Sequence, residues 1–344
     1  MQKKDCITIK YCRLCNSRKL KKVFDLGKTP LANSYSYEKK SKKLKRYPLN
    51  LNLCDSCGHL QLGHSIKPEK MFRNYLYKTN TSKKNFLHFK NYAKELSKFF
   101  KKKKIKILDI GSNDGTFLNF FSKYKKNLNL YGIDPSASAF LKNYKKGIKI
   151  IVDFFNKNSV KKYFKRKNIK FSLITSYAMF YDVEEPNEFC KDISNILEKD
   201  GIWAVEFSYF PLLLKNLTYD QICHEHCTYY SLTTFNNIIK KNNLRIIDFT
   251  LNEINGGSID VLCSKKVSKF KSNTKKIKNL LSEEKKINQH DFNRFNLRVE
   301  NSKKNVQLFL NKQKKKDVIG YGASTKGNVI LNYCGVTNKN ISYI

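Results

Sequence analysis

The chain has 344 residues, enough for about two domains, and a hydrophobic content of 40% with 13% aromatics excludes a disordered polymer. The formal net charge of +40 is typical of nucleic-acid binding, but only eight of the 68 basic residues are arginine and lysines occur throughout, which favours a solvated lysine surface. No apolar run is long enough to span a membrane and no signal peptide is present, so we expect a cytoplasmic protein whose cysteines are reduced.

Two cysteine pairs in the first 80 residues predict a zinc site. Cys12 and Cys15 form one C-x-x-C pair, and Cys54 and Cys57 form a second. Each pair places two thiolates on one tight turn, and two such turns complete the tetrahedral shell that structural zinc prefers. We therefore expect a zinc-ribbon-like module over residues 1–80, with a redox pair as the alternative.

Alternating strand and helix patterns occupy residues 81–266. Helical periodicity predicts an amphipathic helix from Asn85 to Phe100, and an apolar strand from Ile105 to Ile110 precedes a glycine loop and a further helix. Four later segments predict the remaining parallel strands: LNLYGID, IKIIVDFF, FSLITSYAMF and GIWAVEFSYF. The stretch LRIIDFTLNEINGGSIDVLC predicts an antiparallel hairpin. The expected fold class is α/β, a doubly wound sheet with an antiparallel final hairpin, which matches S-adenosylmethionine (SAM)-dependent methyltransferases.

The glycine loop Gly111-x-x-x-Gly115 is the candidate for a nucleotide cofactor. Glycines at a strand-to-helix turn let a ligand approach the backbone, and the helix N-terminus offers free N–H groups. The loop lacks the G-x-G-x-x-G fingerprint of dinucleotide enzymes. Asp134 ends the next strand, where a carboxylate can accept hydrogen bonds from both ribose hydroxyls. SAM is therefore the leading cofactor, although any βα turn may use glycine.

The segment YDQICHEHCTYY places His224 and His226 on either side of Glu225. This pattern is compatible with a metal, a proton transfer or simple packing. The helical two-histidine zinc motif separates its ligands by four positions, whereas these histidines are two apart, which disfavours a catalytic metal. Imidazole titrates near neutral pH and can take up and return a proton within one cycle.

Residues 267–344 predict a partial C-terminal α/β domain that we expect to be truncated. The stretch KDVIGYGASTKGNVILNYCG repeats the strand, glycine and helix pattern, and its turn is a candidate pyrophosphate site, a tight turn without ligand being the alternative. The final ISYI predicts a strand without a covering helix. A helical stripe before this unit runs through Phe292, Phe295, Leu297 and Val306.

Several stretches, in order over nearly the whole chain, resemble the sugar C-methyltransferases that act on nucleotide-linked 4-keto deoxysugars. These are the paired C-x-x-C module, FRNYLYKTNTS, LDIGSNDGTFL, CHEH, GGSI and GYGASTKGN. The resemblance implies that a base removes the proton next to the ketone and that the enolate attacks the methyl group of SAM. It makes His226 the base, with Glu225 orienting or polarising the pair and His224 beside them. Tyr75 and Tyr77 match a stretch whose phenol assists near the ketone.

The resemblance also implies binding residues and a partner. For SAM they are Asp109, Gly111, Asn113, Gly115, Asp134, Asp153 and Phe154, an acidic loop cap being the alternative for Asp153. For the substrate they are Gly257, Ser258, Gly322 and Lys326. The expected partner is a small nucleotide sugar, not a nucleic acid or a membrane. Two other classes stay open: an O- or N-methyltransferase of another small molecule, and a zinc-bearing nucleic-acid-binding protein or methyltransferase.

Overall fold

The computed structural model describes residues 5–33, 44–73, 75, 77–100, 105–124, 128–313, 318–322 and 324–341. The strands, in chain order, are β1 (Cys6–Thr8), β2 (Leu20–Pro30), β3 (Arg46–Cys54), β4 (Leu60–Leu62), β5 (His64–Ile66), β6 (Ile105–Ile110), β7 (Leu128–Ile133), β8 (Lys149–Ile151), β9 (Phe171–Tyr177), β10 (Leu197–Ser208), β11 (Thr228–Tyr229), β12 (Leu244–Asn252) and β13 (Ser258–Lys265). The α-helices are α1 (Pro68–Phe72), α2 (Lys83–Lys98), α3 (Thr116–Tyr124), α4 (Lys157–Tyr163), α5 (Pro186–Ile196), α6 (Phe210–Asn216), α7 (Leu232–Lys241), α8 (Thr274–Glu284), α9 (Gln289–Lys312) and α10 (Thr325–Tyr333). Within these residues, no helix combines the length and the apolar character that a membrane crossing requires.

The chain folds into two compact units that do not follow its linear order. The first unit comprises Met1–Met71, Tyr209–Ser231 and Glu283–Ile344, and the second comprises Phe72–Ser208 and Leu232–Ser282. These units cross the predicted boundaries after residues 80 and 266. The cysteine module, the segment with His224 and His226, and the C-terminal helices thus share one unit, which a division by sequence patterns alone did not anticipate.

The second unit contains the large sheet. Its seven strands lie in the order β12-β13-β10-β9-β6-β7-β8. The pairs β10/β9, β9/β6, β6/β7 and β7/β8 are parallel, while β13 runs antiparallel to both β10 and β12. The predicted doubly wound sheet with an antiparallel final hairpin is therefore confirmed.

Local chemistry explains the ends of these elements. Helix α2 begins after Ser82, whose side chain accepts a hydrogen bond from the Asn85 N–H, and it buries Ala93 and Leu96. The hairpin turns through Asn255 and Gly256, which adopt the left-handed conformation with φ of 54° and 85°. Asparagine and glycine are the residues that tolerate this conformation best, so the turn forms where the sequence predicts it.

The first unit contains a small antiparallel sheet in the order β11-β4-β3-β2, whose core includes residues of α6, α9 and α10. Its core joins β2, β3 and β4 to residues of the inserted segment and of α9. The buried side chains of α9 are Phe292, Phe295 and Val299, whereas Leu297 is 62% exposed. The predicted stripe was wrong at Leu297, because the spacing of three and then four residues between the buried side chains turns that position toward solvent.

The last predicted α/β pattern is only partly present. Helix α10 forms as expected, with the Ser324 hydroxyl accepting from the Gly327 N–H at its start. Residues 318–322 are irregular and do not form the predicted strand. Gly322 has a φ of 85°, which takes the backbone out of the extended conformation. Most of the final ISYI lies outside the described residues, so the predicted terminal strand stays a prediction.

Candidate functional site

Four cysteines of the first unit form a cluster with the dimensions of a zinc shell. The Sγ atoms of Cys12 and Cys57 lie 3.6 Å apart, as do those of Cys15 and Cys54. Tetrahedral bonds of about 2.3 Å separate neighbouring sulfurs by about 3.8 Å, whereas a disulfide would require about 2 Å. A hydrogen bond from the Cys57 thiol holds the pKa of Cys12 at about 5, so the cluster readily provides a thiolate. The four donors therefore fit a zinc ion.

The segment with His224, Glu225 and His226 is attached to the cysteine-bearing sheet. It follows a short 3₁₀ helix, Tyr219–Gln221, and leads directly into β11. Strand β11 pairs with β4, and the Leu62 N–H donates to the Cys227 carbonyl at 3.0 Å. The backbone of this segment is thus fixed by a strand of the zinc module, so its side chains have a defined direction.

The imidazole of His226 has its two nitrogens in different roles. Nδ1 lies 2.7 Å from the Gln221 carbonyl oxygen. A carbonyl only accepts, so Nδ1 carries the hydrogen and the neutral ring has its lone pair on Nε2. Burial lowers the pKa of His226 to about 4. The hydrogen bond to Gln221 opposes this shift, whereas the positive charge of Lys326 adds to it. The ring is therefore neutral at pH 7 and has a nitrogen that can accept a proton.

The neighbours of His226 are buried and have separate contacts. His224 and Glu225 are each 2% exposed. The His224 ring packs edge-on against Tyr47 at 6.0 Å, and burial lowers its pKa to about 4. Glu225 Oε1 accepts from Asn33 Nδ2 at 3.0 Å, and burial raises the pKa of Glu225. The tautomer of His226 is therefore fixed by the Gln221 carbonyl, a role for which the sequence analysis had considered Glu225.

Helix α10 contributes to the same site. Thr325 Oγ1 donates to Asn33 Oδ1 at 2.9 Å, and Asn33 in turn donates to Glu225. The positive charge of Lys326 adds to the effect of burial in lowering the pKa of His226. Burial raises the pKa of Asp220, and the charge of Lys326 opposes that rise. The structure thus brings Lys326 into the electrostatic environment of His226. Gly322, also predicted to bind substrate, is exposed with open space around its Cα.

Some residues of this site were missed by sequence reasoning. Asp220 and Gln221 belong to the quoted YDQICHEHC stretch, so their closeness to His226 in the chain was a usable signal. Asn33 lies 192 positions before Glu225 and is part of no motif, so the sequence contains no signal for it. Its role follows only from the packing of the first unit.

The glycine loop of the second unit has the geometry of a ligand-binding turn. Gly111 and Gly115 have φ of 73° and 75°, in the left-handed region. A Cβ on Gly115 would lie 2.5 Å from Cδ1 of Tyr144, so only glycine fits against that ring. Asp114 Oδ1 accepts from the N–H and the hydroxyl of Thr116, which starts α3. Nucleotide ligands bind at such turns, and the loop fits SAM.

Of the two predicted cofactor carboxylates Asp134 and Asp109, Asp134 braces this loop. Asp134 accepts from the Asn113 N–H at 2.9 Å with Oδ2, and from the N–H and hydroxyl of Ser136 with Oδ1. Three of its four acceptor positions are thereby used. Asp109 accepts from the Thr175 hydroxyl at 2.5 Å, and burial raises its pKa to about 7. The ribose contact of Asp134 stays a prediction, with one acceptor position left for it.

The remaining predicted cofactor residues lie after β8. The Asp153 carboxylate accepts from the Phe154 N–H at 2.8 Å, as a loop cap does, and both side chains are partly buried. This contact agrees with the alternative of an acidic cap, and SAM binding by Asp153 and Phe154 stays a prediction.

The tyrosine-rich stretch is tied to the glycine loop inside the second unit. Asn113 Nδ2 donates to the Tyr77 carbonyl at 2.9 Å, and Asn113 Oδ1 accepts from the Thr79 N–H at 3.1 Å. The Tyr77 side chain is 43% exposed, and its hydroxyl accepts from Asn85 at 2.8 Å. The Tyr75 ring lies 6.2 Å from the Tyr77 ring.

The hairpin residues predicted to bind substrate have a clear local function. Gly257 has a φ of 134°, and the Ser258 hydroxyl donates to the Ile254 carbonyl at 2.9 Å across the turn. Ser258 is 1% exposed. Its described contact braces the hairpin, so a substrate contact for Ser258 stays a prediction.

Comparisons with known proteins match both the region of the four cysteines and the region of the large sheet. Three family models match: "Putative zinc binding domain" over residues 12–72, "Methyltransferase domain" over residues 86–248, and "C-methyltransferase C-terminal domain" over residues 253–344. The C-methyltransferase NovU of Streptomyces niveus is 25% identical over 339 residues, which cover 96% of this chain and 80% of that protein.

Solved structures are more distant. The plantazolicin methyltransferase BpumL in complex with SAH has a TM-score of 0.42 at 16% identity, covering 52% of this chain and 83% of that chain. The PH0226 protein of Pyrococcus horikoshii OT3 has a TM-score of 0.43 at 17% identity, covering 58% of this chain and 98% of that chain.

Proposed function

Since this chain is a SAM-dependent C-methyltransferase with a zinc-binding module, we propose that it methylates the carbon beside the ketone of a nucleotide-linked keto deoxysugar. The observation that carries the proposal is the hydrogen bond from His226 Nδ1 to the Gln221 carbonyl. That bond leaves the lone pair of the neutral ring on Nε2, which is what a general base for a carbon acid requires.

The proposed reaction begins with transfer of the proton next to the ketone to His226 Nε2. The electron pair of the broken C–H bond forms the enolate, whose oxygen carries the negative charge. A phenol of Tyr75 or Tyr77 donates toward that oxygen and so stabilises the charge as it develops. When bound, SAM supplies an electrophilic methyl group. The imidazolium of His226 then returns its proton to solvent, and the neutral base is restored.

Lys326 connects substrate binding to the strength of the base. Its ammonium charge disfavours the imidazolium form and contributes to the low pKa of His226. In the proposal the pyrophosphate of the substrate binds Lys326 and offsets this charge, so the pKa of His226 rises when the substrate is present. The base then becomes stronger only in the complex in which it acts.

The test is exchange of the hydrogen next to the ketone with deuterated solvent, using nucleoside-diphosphate 4-keto deoxysugars without SAM. In the wild-type protein we expect deuterium to appear at one carbon. His226→Ala should slow that exchange by about 10²–10⁴-fold, the usual contribution of a general base. His290→Ala, an exposed histidine of the same unit, is the matched control and should exchange at the wild-type rate.

Exchange that stays at the wild-type rate in His226→Ala would exclude this histidine as the base. Methylation of an oxygen or nitrogen of the sugar, with no deuterium exchange at carbon, would refute the proposed reaction. The protein would still be a methyltransferase. Mass spectrometry of the product, with the methyl group located by NMR, distinguishes these outcomes.

A further inference from the structure

A second group of possible metal ligands lies in the second unit, away from the four cysteines in the sequence. It consists of His88 on α2, Glu206 on β10 and Asp260 on β13. Glu206 and Asp260 are direct partners in the antiparallel pairing of β10 with β13, so their side chains project from the same face of the sheet. His88 Nε2 lies 2.6 Å from Glu206 Oε2, and one ligand atom from each residue lies within 4.8 Å of the others.

The group places two carboxyl groups side by side in the interior. Glu206 is 1% exposed and Asp260 is 5% exposed, while the His88 side chain is 17% exposed. Two ionised carboxylates in contact are costly unless a positive charge balances them. A single imidazolium balances one carboxylate, whereas a divalent cation balances both.

Unsatisfied polar atoms surround the group. Asp260 Oδ1 and the hydroxyl oxygens of Tyr92 and Tyr177 are buried and have no hydrogen-bond partner among the described residues. Both tyrosines are close enough for the charges of Asp260 and Glu206 to help raise their pKa, after the larger effect of burial. Buried polar atoms in native proteins nearly always have a partner, so Asp260 Oδ1, which has none among the described residues, favours a ligand from outside the chain.

The other carboxylate oxygens are already positioned. Asn252 Nδ2 donates to Asp260 Oδ2 at 2.7 Å and contacts Glu206 Oε2 at 3.3 Å. The side-chain oxygen of Asn252 accepts from the Ile254 N–H at 2.8 Å, which fixes the amide. Outer contacts of this kind orient the ligands of metal sites, and they leave Asp260 Oδ1 directed to an inner partner.

We propose that His88, Glu206 and Asp260 bind a divalent first-row transition-metal cation, in a site separate from the zinc site of the four cysteines. One imidazole and two carboxylates suit Mn²⁺, Fe²⁺, Co²⁺ or Zn²⁺. Binding forms one metal–nitrogen and two metal–oxygen bonds. Any proton that these ligand atoms carry is released to solvent as the metal–ligand bonds form. The cation would fasten α2 to β10 and β13 within the second unit.

The experiment titrates Mn²⁺ into the full chain after one equivalent of zinc per chain, which the four thiolates bind first, has filled the cysteine site. Mn²⁺ is the probe because it prefers oxygen and nitrogen ligands, whereas the cysteine site presents only sulfur. Electron paramagnetic resonance of free Mn²⁺ should show one bound equivalent per chain in the wild-type protein. Asp260→Asn and His88→Gln should each reduce the affinity at least about tenfold. Asp248→Asn, on the neighbouring strand β12, should bind like the wild type.

The zinc content of each variant shows whether the first unit has folded, and circular dichroism shows whether the sheet of the second unit has formed. If Asp260→Asn fails to fold, His88→Gln decides, since His88 lies on a helix and is partly exposed. Absence of Mn²⁺ binding to the folded wild-type protein would overturn the proposal. Equal Mn²⁺ binding by the wild type and by His88→Gln would overturn it as well.

Discussion

The two compact units differ in how they bring distant parts of the chain together. The second unit is a seven-stranded sheet whose chain is interrupted once, by Tyr209–Ser231. The first unit has a sheet of four strands, and its core joins residues as far apart in sequence as Val23 and Val329. A small sheet buries little apolar surface, so the first unit needs its cysteine cluster as well as long-range packing. The comparison indicates that zinc supports the unit containing His226, whereas the glycine loop Gly111–Gly115 belongs to a unit held by its own sheet.

The sharpest test of this difference is removal of the cysteine-bound zinc. Structural zinc contributes about 10–16 kcal/mol in zinc-finger peptides, so Cys54→Ser should cost several kcal/mol and unfold the first unit. We expect hydrogen exchange measured by mass spectrometry to show lost protection in β2, β3 and α9. Strands β6 and β9 of the second unit should keep theirs.

Cys6→Ser is the control for this prediction, because Cys6 lies in the same unit but outside the cluster. It should preserve protection in both units. Uniform loss of protection across the whole chain of Cys54→Ser would show that the second unit also depends on the zinc.

A smaller effect is expected from a change confined to the second unit. Gly115→Ala places a methyl group against the Tyr144 ring at a position with φ of 75°, and we expect a cost of about 1–3 kcal/mol. The affinity for SAM, measured by calorimetry, should fall at least about tenfold. The zinc content and the exchange protection of the first unit should not change.

Gly147→Ala separates backbone strain from the clash with Tyr144. Gly147 has a φ of 93° but nothing within 4 Å of the added methyl group. It should therefore lose stability and keep its affinity for SAM. Equal loss of SAM affinity in both variants would mean that the Gly115 loop has no special part in binding the methyl donor.

The smallest effect is electrostatic and belongs to the first unit. Lys326→Met removes a positive charge that disfavours the imidazolium of His226, so the pKa of His226 should rise from about 4. His226 acts as a base only when its ring is neutral, so the exchange rate falls at pH values below its pKa. When that pKa rises, this acid limb of the pH–rate profile should move to higher pH, by less than about one unit. The activity would fall at mildly acidic pH, and the position of the limb is the measurement.

Lys303→Met provides the comparison for this shift. Lys303 lies on α9, where its ammonium group is 4.8 Å from the Tyr333 ring, and it does not contribute to the lowered pKa of His226. An acid limb that moves to lower pH in Lys326→Met, or that moves equally in both variants, would contradict the assigned role of Lys326.

The sequence was sufficient to predict the main strands of the second unit, because these elements follow from local patterns. The apolar strand before Gly111 and the Asn255-Gly256 turn depend on neighbouring residues, and each is found where it was predicted. The helix predicted from Asn85 to Phe100 is present as Lys83–Lys98. The first unit was not predictable in this way. Its sheet acquires β11 from a segment more than 160 residues after β4, and no local pattern encodes that pairing.

The candidate site shows the same limit. The cysteine spacing was enough to predict the metal cluster, since two tight turns provide all four ligands. The motif also identified His226, but its hydrogen-bond partner is a backbone carbonyl, and any residue at position 221 offers a carbonyl. Asn33 and Thr325 come close to Glu225 only when three distant segments fold together. Their residue types and their spacing in the sequence therefore gave no indication of this contact.

The discontinuity of the first unit has a consequence for synthesis on the ribosome. Strands β2 to β4 leave the exit tunnel long before α9, whose Phe295 and Val299 cover them. At about 5–20 residues per second, more than 200 residues of translation take on the order of ten to fifty seconds. Until α9 emerges, the part of the apolar face of the nascent sheet that α9 covers has no partner from its own chain. Early capture of zinc by the paired cysteines, or shielding by a chaperone, would protect the newborn polypeptide from aggregation until its last third emerges.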